Sequence, residues 1–526
     1  MYDIIISNAS IYDGSGNPWF KSDIGIKSGK IVSIGQLRNE EAQRRIDVSQ
    51  FAVAPGFIDI HCHSDALLFA SPREKGKILQ GVTTEVIGNC GISATPVSEK
   101  NLELLKKYTS SIFANIDMPW DWRTVSDFLR RVEERRSITN IASLVGHGAV
   151  RIAVMGFDNR DPDERELAEM KRLVASAIDD GAFGLSSGLI YPPGLYAKTR
   201  ELIELCRVVA EKGGIYTTHM RGETDTVIES VKEAIRTGEE SGVPVQISHH
   251  KTGGLDNWGK CRQTLQLIAE ARDRGLDITC DAYPYIAGST MLGALLPPWV
   301  HEGGVERLLE RLRNPECRLT IKEQIKNGIP GWENFVKACG WDKIVIASCN
   351  RNKSIEGKNL EEIAHSRKIE PDEALFDIMI EEEADVLMIQ FMMCEEDVSY
   401  ILRHPLVMMG SDAIPSAGKP HPRYYGAFPR FLRKYVLDEG ICSLAEGIRK
   451  ITSMPAQKLG LRDRGAIREG MWADITVFDP KTIADKATFL DPQQFAAGVE
   501  YVLVNGRLAV DKGEYTGLLE GRVLRR

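Results

Sequence analysis

No run of the chain approaches the ~20 consecutive apolar residues that cross a bilayer. No basic block of the kind that grips nucleic acid or an anionic membrane is present either. The opening, Met1-Tyr2-Asp3-Ile4-Ile5-Ile6, lacks the basic segment and cleavage site of a signal peptide. Cysteine is sparse: ten in 526 residues, irregularly spaced and with no CxxC pair. That is too few for a disulfide scaffold, and most are expected to be reduced, buried thiols. The balance of 66 basic against 74 acidic residues, a net charge of −8, reads as a solubility feature. These absences argue against nucleic-acid and membrane partners, and the expected location is the cytoplasm. There is no internal repeat and no low-complexity tract.

What is present is length and apolar content. A chain of 526 residues, 43% hydrophobic, has material for more than one core, and two or three domains are expected. Residues 1–57 are β-rich, with β-branched residues between Gly, Asn and Asp turns. From residue 58 the pattern changes to short apolar strands alternating with longer helix-like segments, the mark of βα units around a parallel sheet. Eight candidate strands cover 57–61, 84–88, 138–145, 182–186, 214–218, 244–248, 276–282 and 406–411. Between the third and fourth, 163–179 carries Leu167, Met170, Leu173, Val174 and Ala177 on one helical face. Eight strands predict a (β/α)₈ barrel over residues 58–460. The gap between the seventh and eighth is too long for a connection, so an inserted subdomain is expected at about 286–348. Residues 461–526 return to short β segments, predicted to pair with 1–57 as one small β-sandwich.

The chemistry gathers at the strand ends. Phe57-Ile58-Asp59-Ile60-His61-Cys62-His63-Ser64-Asp65 is an apolar strand ending in His-x-His. Residues two apart on a strand share a side, and the C-terminal ends of barrel strands form the active face. Cys90 ends the second strand, His219 the fifth, His249 follows the sixth and Asp412 ends the eighth. The chain has only ten histidines, so this placement predicts a metal site, and imidazole, thiolate and carboxylate suit zinc. His250 competes with His249. Strand alternation allows one ligand of the two, and His249, which continues the strand directly, is favoured. Gly184-Leu185-Ser186-Ser187-Gly188 fits the G-x-S-x-G nucleophile elbow, but a serine triad would leave the histidines and Cys90 without a role.

The opening motif with its preceding Pro55-Gly56 resembles the amidohydrolase superfamily, and within it the D-aminoacylases, the N-acyl-D-amino-acid deacylases. The resemblance spans nearly the whole chain. It takes in Gly88-Asn89-Cys90-Gly91, Gly146-His147-Gly148, Thr218-His219-Met220-Arg221 and Ser248-His249-His250-Lys251. It continues through Asp281-Ala282-Tyr283-Pro284-Tyr285, Gly410-Ser411-Asp412, His421-Pro422-Arg423-Tyr424-Tyr425-Gly426 and the segment Gly521-Arg522-Val523-Leu524-Arg525-Arg526.

The resemblance implies one tightly held zinc on Cys90, His219 and His249. It implies a second, weaker position at His61, His63 and Asp412, with Asp412 also the catalytic general base and acid. Many relatives bridge two metals with a carboxylated lysine ending strand four; the stretch 184–188 has no lysine, which argues against a hydantoinase-like site. Lys251, Arg423, Tyr191 and Tyr283 match positions that contact the amino acid, and His147 is read as lining the pocket or donating a hydrogen bond in the core, the pocket being preferred. The expected reaction is hydrolysis of N-acyl-D-amino acids. The stretch 288–296 holds no Arg or Lys, so neutral or hydrophobic side chains are expected. Competing readings are an amidase for D-aminoacyl dipeptides or cyclic amides, and a non-catalytic barrel scaffold.

Overall fold

A computed structural model describes residues 1–71, 74–114 and 116–526. Eight parallel strands form the barrel. They are β1 (Phe57–Asp59), β2 (Val82–Ile87), β3 (Asn140–Ser143, resuming as Val145–Gly146), β4 (Gly184–Gly188), β5 (Ile215–His219), β6 (Val245–Ile247), β7 (Ile278–Ala282) and β8 (Val407–Met409). Neighbours pair in chain order, for example Thr84↔Asn140, Gly184↔Ile215 and Cys280↔Val407. The ring closes just beyond the ends of β1 and β8, where Cys62 bridges Ala413 and the Asp412 N–H donates to the His61 carbonyl at 2.7 Å. All eight strands expected from the sequence are found, within a few residues at each end.

The strands are buried along their whole length, as parallel strands covered on both faces must be. The helix expected at 163–179 is Glu164–Asp179. Asp163 caps it by accepting from the Arg165 and Glu166 N–H groups, Glu166 returns a bond to Asp163, and Met170, Val174, Ala177 and Ile178 are its buried stripe.

Strands from both chain ends share one nine-stranded sheet. Strand Tyr2–Ile11 pairs with Ala42–Asp47 over its first half and Ala52–Pro55 over its second, so the sheet forks there into the sandwich. Ala52–Pro55 also pairs with Ile475–Phe478, which joins the two ends. Isoleucines 4, 6, 24, 26 and 31 pack with Ile475, Val477 and Leu503 in a core of their own.

The insertion between β7 and β8 is longer than 286–348. Its three-stranded antiparallel sheet has Val386–Phe391 in the centre, flanked by Ala287–Met291 and Ile344–Cys349. The central strand comes last because the helices Leu360–Arg367 and Pro371–Glu381 carry the chain back across the sheet. Among the described residues, no helix is long and apolar enough to cross a membrane. All ten cysteines are free thiols.

Candidate metal centre and active site

The strand C-termini bring His61, Cys90, His249 and Asp412 together, with one donor atom of each within 4.8 Å of the others. Cys90 Sγ lies 3.2 Å from His61 Nε2 and 3.5 Å from His249 Nε2. Asp412 Oδ1 lies 3.3 Å from Nε2 of both His61 and His63. The His219 ring packs edge-on to His249, centroids 4.3 Å apart. All six side chains are buried.

The local backbone explains the convergence. Cys90, His249 and Asp412 each have positive φ, at 54°, 36° and 49°. This left-handed conformation is costly for non-glycine residues and concentrates at functional sites. At each of these strand ends the chain leaves the pleat and turns a side chain into the barrel mouth. His249 is therefore chosen over His250 by this turn and not by strand alternation, since β6 has already ended at Ile247. His250 faces away, Nε2 to Thr264 Oγ1 at 2.9 Å. Gly88 makes room for the Cys90 turn: its φ is 77°, and a Cβ there would lie 2.2 Å from the Leu144 carbonyl oxygen.

The electrostatics suit a cation. Burial pushes the Cys90 thiol up, but His61 and His249 outweigh it and hold it well below its usual value, and the thiolate is the metal-binding form. Burial likewise opposes ionisation of Asp412, yet Arg423, His249 and His61 keep its carboxyl well below the carboxylate range. Burial pulls His219 down, which leaves its imidazole neutral. Neither ring nitrogen of His219 has a hydrogen-bond partner among the described residues, nor has His63 Nδ1. Buried polar atoms are normally paired, so these nitrogens fit a bound metal. Thiolate, imidazole and carboxylate are the donor set that zinc takes.

Two carboxylates outside the sequence expectation stand behind the histidines. Asp281 Oδ1 accepts from the His249 N–H at 2.8 Å and lies 3.2 Å from His61 Nδ1. Glu223 Oε1 lies 2.9 Å from His249 Nδ1. Asp281 belongs to the Asp281-Ala282-Tyr283-Pro284-Tyr285 stretch and is an inward position of β7. Glu223 follows a strand in a loop that folds back, and no periodicity marks it.

The residues read as substrate contacts separate. Lys251 Nζ lies 2.6 Å from Glu223 Oε1 and 5.5 Å from the Tyr283 ring centroid. Arg423 is fully buried, with Nη1 2.8 Å from Asp412 Oδ2 and its guanidinium over the same tyrosine ring. Tyr191 stacks edge-on to His219, and its hydroxyl meets Thr290 Oγ1 at 2.7 Å. His147 does not line this pocket. It opens the helix His147–Met155, and its Nε2 meets Glu201 Oε1 at 2.8 Å in a buried cluster with Arg151. The pairing partner lies 54 positions away, beyond any local sequence signal.

Ser186 is no nucleophile. It is fully buried, and its hydroxyl accepts from the Gly91 N–H and donates to the Gly88 carbonyl. It thereby braces the Cys90 turn. The rest of the pocket wall combines an apolar group, Ile92, Ile112, Ile190, Met392 and Ile414, with Gln390 and the Gly288-Ser289-Thr290 segment. Gln390 and Met392 come from the insertion's last strand and its exit.

A model of the amidohydrolase family matches residues 44–510, and one of the urease alpha-subunit N-terminal domain matches 1–56. D-aminoacylase of Alcaligenes xylosoxydans xylosoxydans is 37% identical over 529 residues, covering 100% of this chain and 98% of the relative. A solved D-aminoacylase, whose binuclear metal centre shows one-metal activation and second-metal attenuation, superimposes with a TM-score of 0.84 at 36% identity, covering 100% of both chains. The N-acyl-D-glutamate deacylase of Bordetella bronchiseptica, solved with zinc and a phosphonate mimic of the tetrahedral intermediate, does so with 0.85 at 32% identity, again covering 100% of both.

Proposed function

The chain belongs to the amidohydrolase family, in its D-aminoacylase branch, and on that premise we propose that it is a zinc-dependent hydrolase of N-acyl-D-amino acids with neutral or hydrophobic side chains. The observation that carries the reading is the convergence of His61, Cys90, His249 and Asp412 at the barrel mouth, with the Lys251 ammonium on the adjoining wall. Cys90, His219 and His249 would hold the tighter zinc, and His61, His63 and Asp412 a weaker one. The Cys90 thiolate stands between the two sets, facing His61 and His249 at similar distances. Zinc held there supplies Lewis acidity to the amide carbonyl and to water.

The side chains do the rest. Asp412, kept ionised by Arg423, takes a proton from water and returns it to the leaving nitrogen, as general base and then acid. Lys251 offers a full positive charge to the substrate carboxylate, with Tyr283 beside it. Tyr191 lines the same cavity next to His219. Arg423, expected as a substrate contact, is fully buried outside the cavity wall and acts instead on Asp412 and the Tyr283 ring.

The relatives include enzymes named for D-glutamate as well as the general D-aminoacylase, so overall identity does not choose the side chain. The pocket wall supports a neutral or hydrophobic side chain. Ile92, Ile112, Ile190, Met392 and Ile414 offer dispersion contacts and no cation, and an unpaired carboxylate buried among them would cost several kcal/mol. Zinc-loaded enzyme assayed on N-acetyl-D-leucine, N-acetyl-D-methionine, N-acetyl-D-glutamate and N-acetyl-L-leucine tests the reading. The first two are the expected substrates. A preference for D-glutamate would overturn the side-chain assignment, and activity confined to the L-substrate would overturn the whole.

A further inference from the structure

Glu223 is 2% exposed and sits where two demands meet. Its Oε1 lies 2.9 Å from His249 Nδ1 and 2.6 Å from Lys251 Nζ, and its Oε2 lies 3.7 Å from His219 Nε2. Its backbone is anchored on both sides. The N–H donates to Glu333 Oε1 at 2.5 Å, and the carbonyl accepts from the Gly253 N–H at 2.7 Å. These two bonds tie the backbone at Glu223 to the loop after β6 and to the insertion, and so fix where its side chain starts.

The geometry presents a choice of tautomer. Lys251 Nζ is also only 2.7 Å from His249 Nδ1. If the ammonium donated to Nδ1, the imidazole proton would sit on Nε2, and the nitrogen that faces Cys90 would have no lone pair to give. If Nδ1 carries the proton and donates it to a carboxylate, Nε2 is free to bind. The protonation of one ring nitrogen is set by the partner of the other. A carboxylate accepts and cannot donate, so Glu223 Oε1, 2.9 Å from Nδ1 and 2.6 Å from Lys251 Nζ, can take both hydrogens together and favours the second arrangement. From this we infer that Glu223 is a positioning residue that holds His249 with Nε2 open to the metal while seating Lys251 on the pocket wall, so that metal binding and carboxylate binding are coupled through one side chain. The inference rests on the zinc site proposed above.

Zinc affinity separates this from a merely structural role. The full chain, stripped of metal and titrated with zinc against a chromogenic chelator, is compared as wild type, Glu223→Gln, Lys251→Met and the double variant Glu223→Gln/Lys251→Met. Loss of a carboxylate behind a metal-binding histidine typically weakens the metal 10–100-fold. Glu223→Gln is expected to lose zinc affinity in about that range and to raise KM, whereas Lys251→Met raises KM but holds zinc as wild type does. The double variant stays weak in zinc, because His249 still lacks its carboxylate.

Wild-type zinc affinity in Glu223→Gln would overturn the inference. So would recovery of that affinity in the double variant, since Glu223 would then only balance the Lys251 charge. Should Glu223→Gln fail to fold, Glu223→Asp keeps the charge but draws the oxygen back from Nδ1, and it is expected to weaken zinc at least tenfold. Unchanged affinity there also overturns the inference. A wild type that takes up no zinc would instead sink the metal-site reading, and this inference with it.

Discussion

Arg423 Nη1 lies 2.8 Å from Asp412 Oδ2, while the other oxygen of that carboxylate stands 3.3 Å from His61 and from His63. One carboxylate thus faces a permanent cation on one side and the candidate metal centre on the other, and four tests turn on how that charge and its neighbours are used.

Asp412→Asn keeps the shape and loses the base. A positioned general base or acid contributes typically 10²–10⁴-fold, so kcat/KM should fall by about that factor. If Cys90, His219 and His249 hold the tighter zinc, metal analysis after dialysis should still find it in the variant. Loss of all zinc would make Asp412 a principal ligand.

Arg423→Met removes the foremost of the groups that hold Asp412 ionised. The carboxyl pKa must then rise, so the acid limb of the kcat/KM profile should move to higher pH. Breaking a buried ion pair from one side costs about 3–5 kcal/mol, so the variant should also unfold at a lower temperature. An unmoved acid limb would mean that a group other than Asp412 sets it.

Lys251→Met should raise KM for N-acetyl-D-leucine about 10–100-fold, the worth of one hydrogen bond to a charged group. N-acetyl-D-leucinamide has no carboxylate, so its KM should hardly change. Equal losses on both substrates would place the lysine outside carboxylate recognition.

Cys90→Ala removes the thiolate that faces both His61 and His249. Zinc content and hydrolysis should fall together, measured on the same dialysed preparation. Full activity with full zinc would remove Cys90 from the site.

At the barrel floor, Lys458 is buried with its Nζ 3.0 Å from the Asp277 carbonyl oxygen, and burial pulls its pKa down to about 8. An unfolded lysine titrates near 10.4. Below pH 8 both states carry the proton and the cost of burying the charge is fully present. Between about pH 8 and 10.4 the folded state gives up the proton that the unfolded state keeps, so stability rises with pH there. Lys458→Met has no such rise. Urea unfolding of the metal-free chain should show wild type gaining about 3 kcal/mol on the variant across that window; a constant gap would refute the shift.

The eight strands and the helix Glu164–Asp179 were legible because hydrophobic periodicity is local: each segment carries its own pattern of burial. His61, Cys90, His219, His249 and Asp412 were legible as polar residues ending apolar runs. Of the two readings open for His147, the pocket was preferred and the structure shows the core one, with Glu201 as partner; nothing within a few residues of His147 announces that pair. The insertion was read too short, because its central strand, Val386–Phe391, returns only after two helices.

What the amino-acid order determined by itself was the barrel and the residues at its mouth, since strand spacing and strand ends are written in consecutive positions. The tertiary structure alone decided how those residues are used. A left-handed turn at φ 36° sends His249 inward. A folded-back loop sets Glu223 against both His249 and Lys251. The insertion's last strand and its exit put Gln390 and Met392 into the pocket. Each depends on contacts between segments far apart in the chain, where the free energy of packing is settled by the whole fold and not by the local pattern.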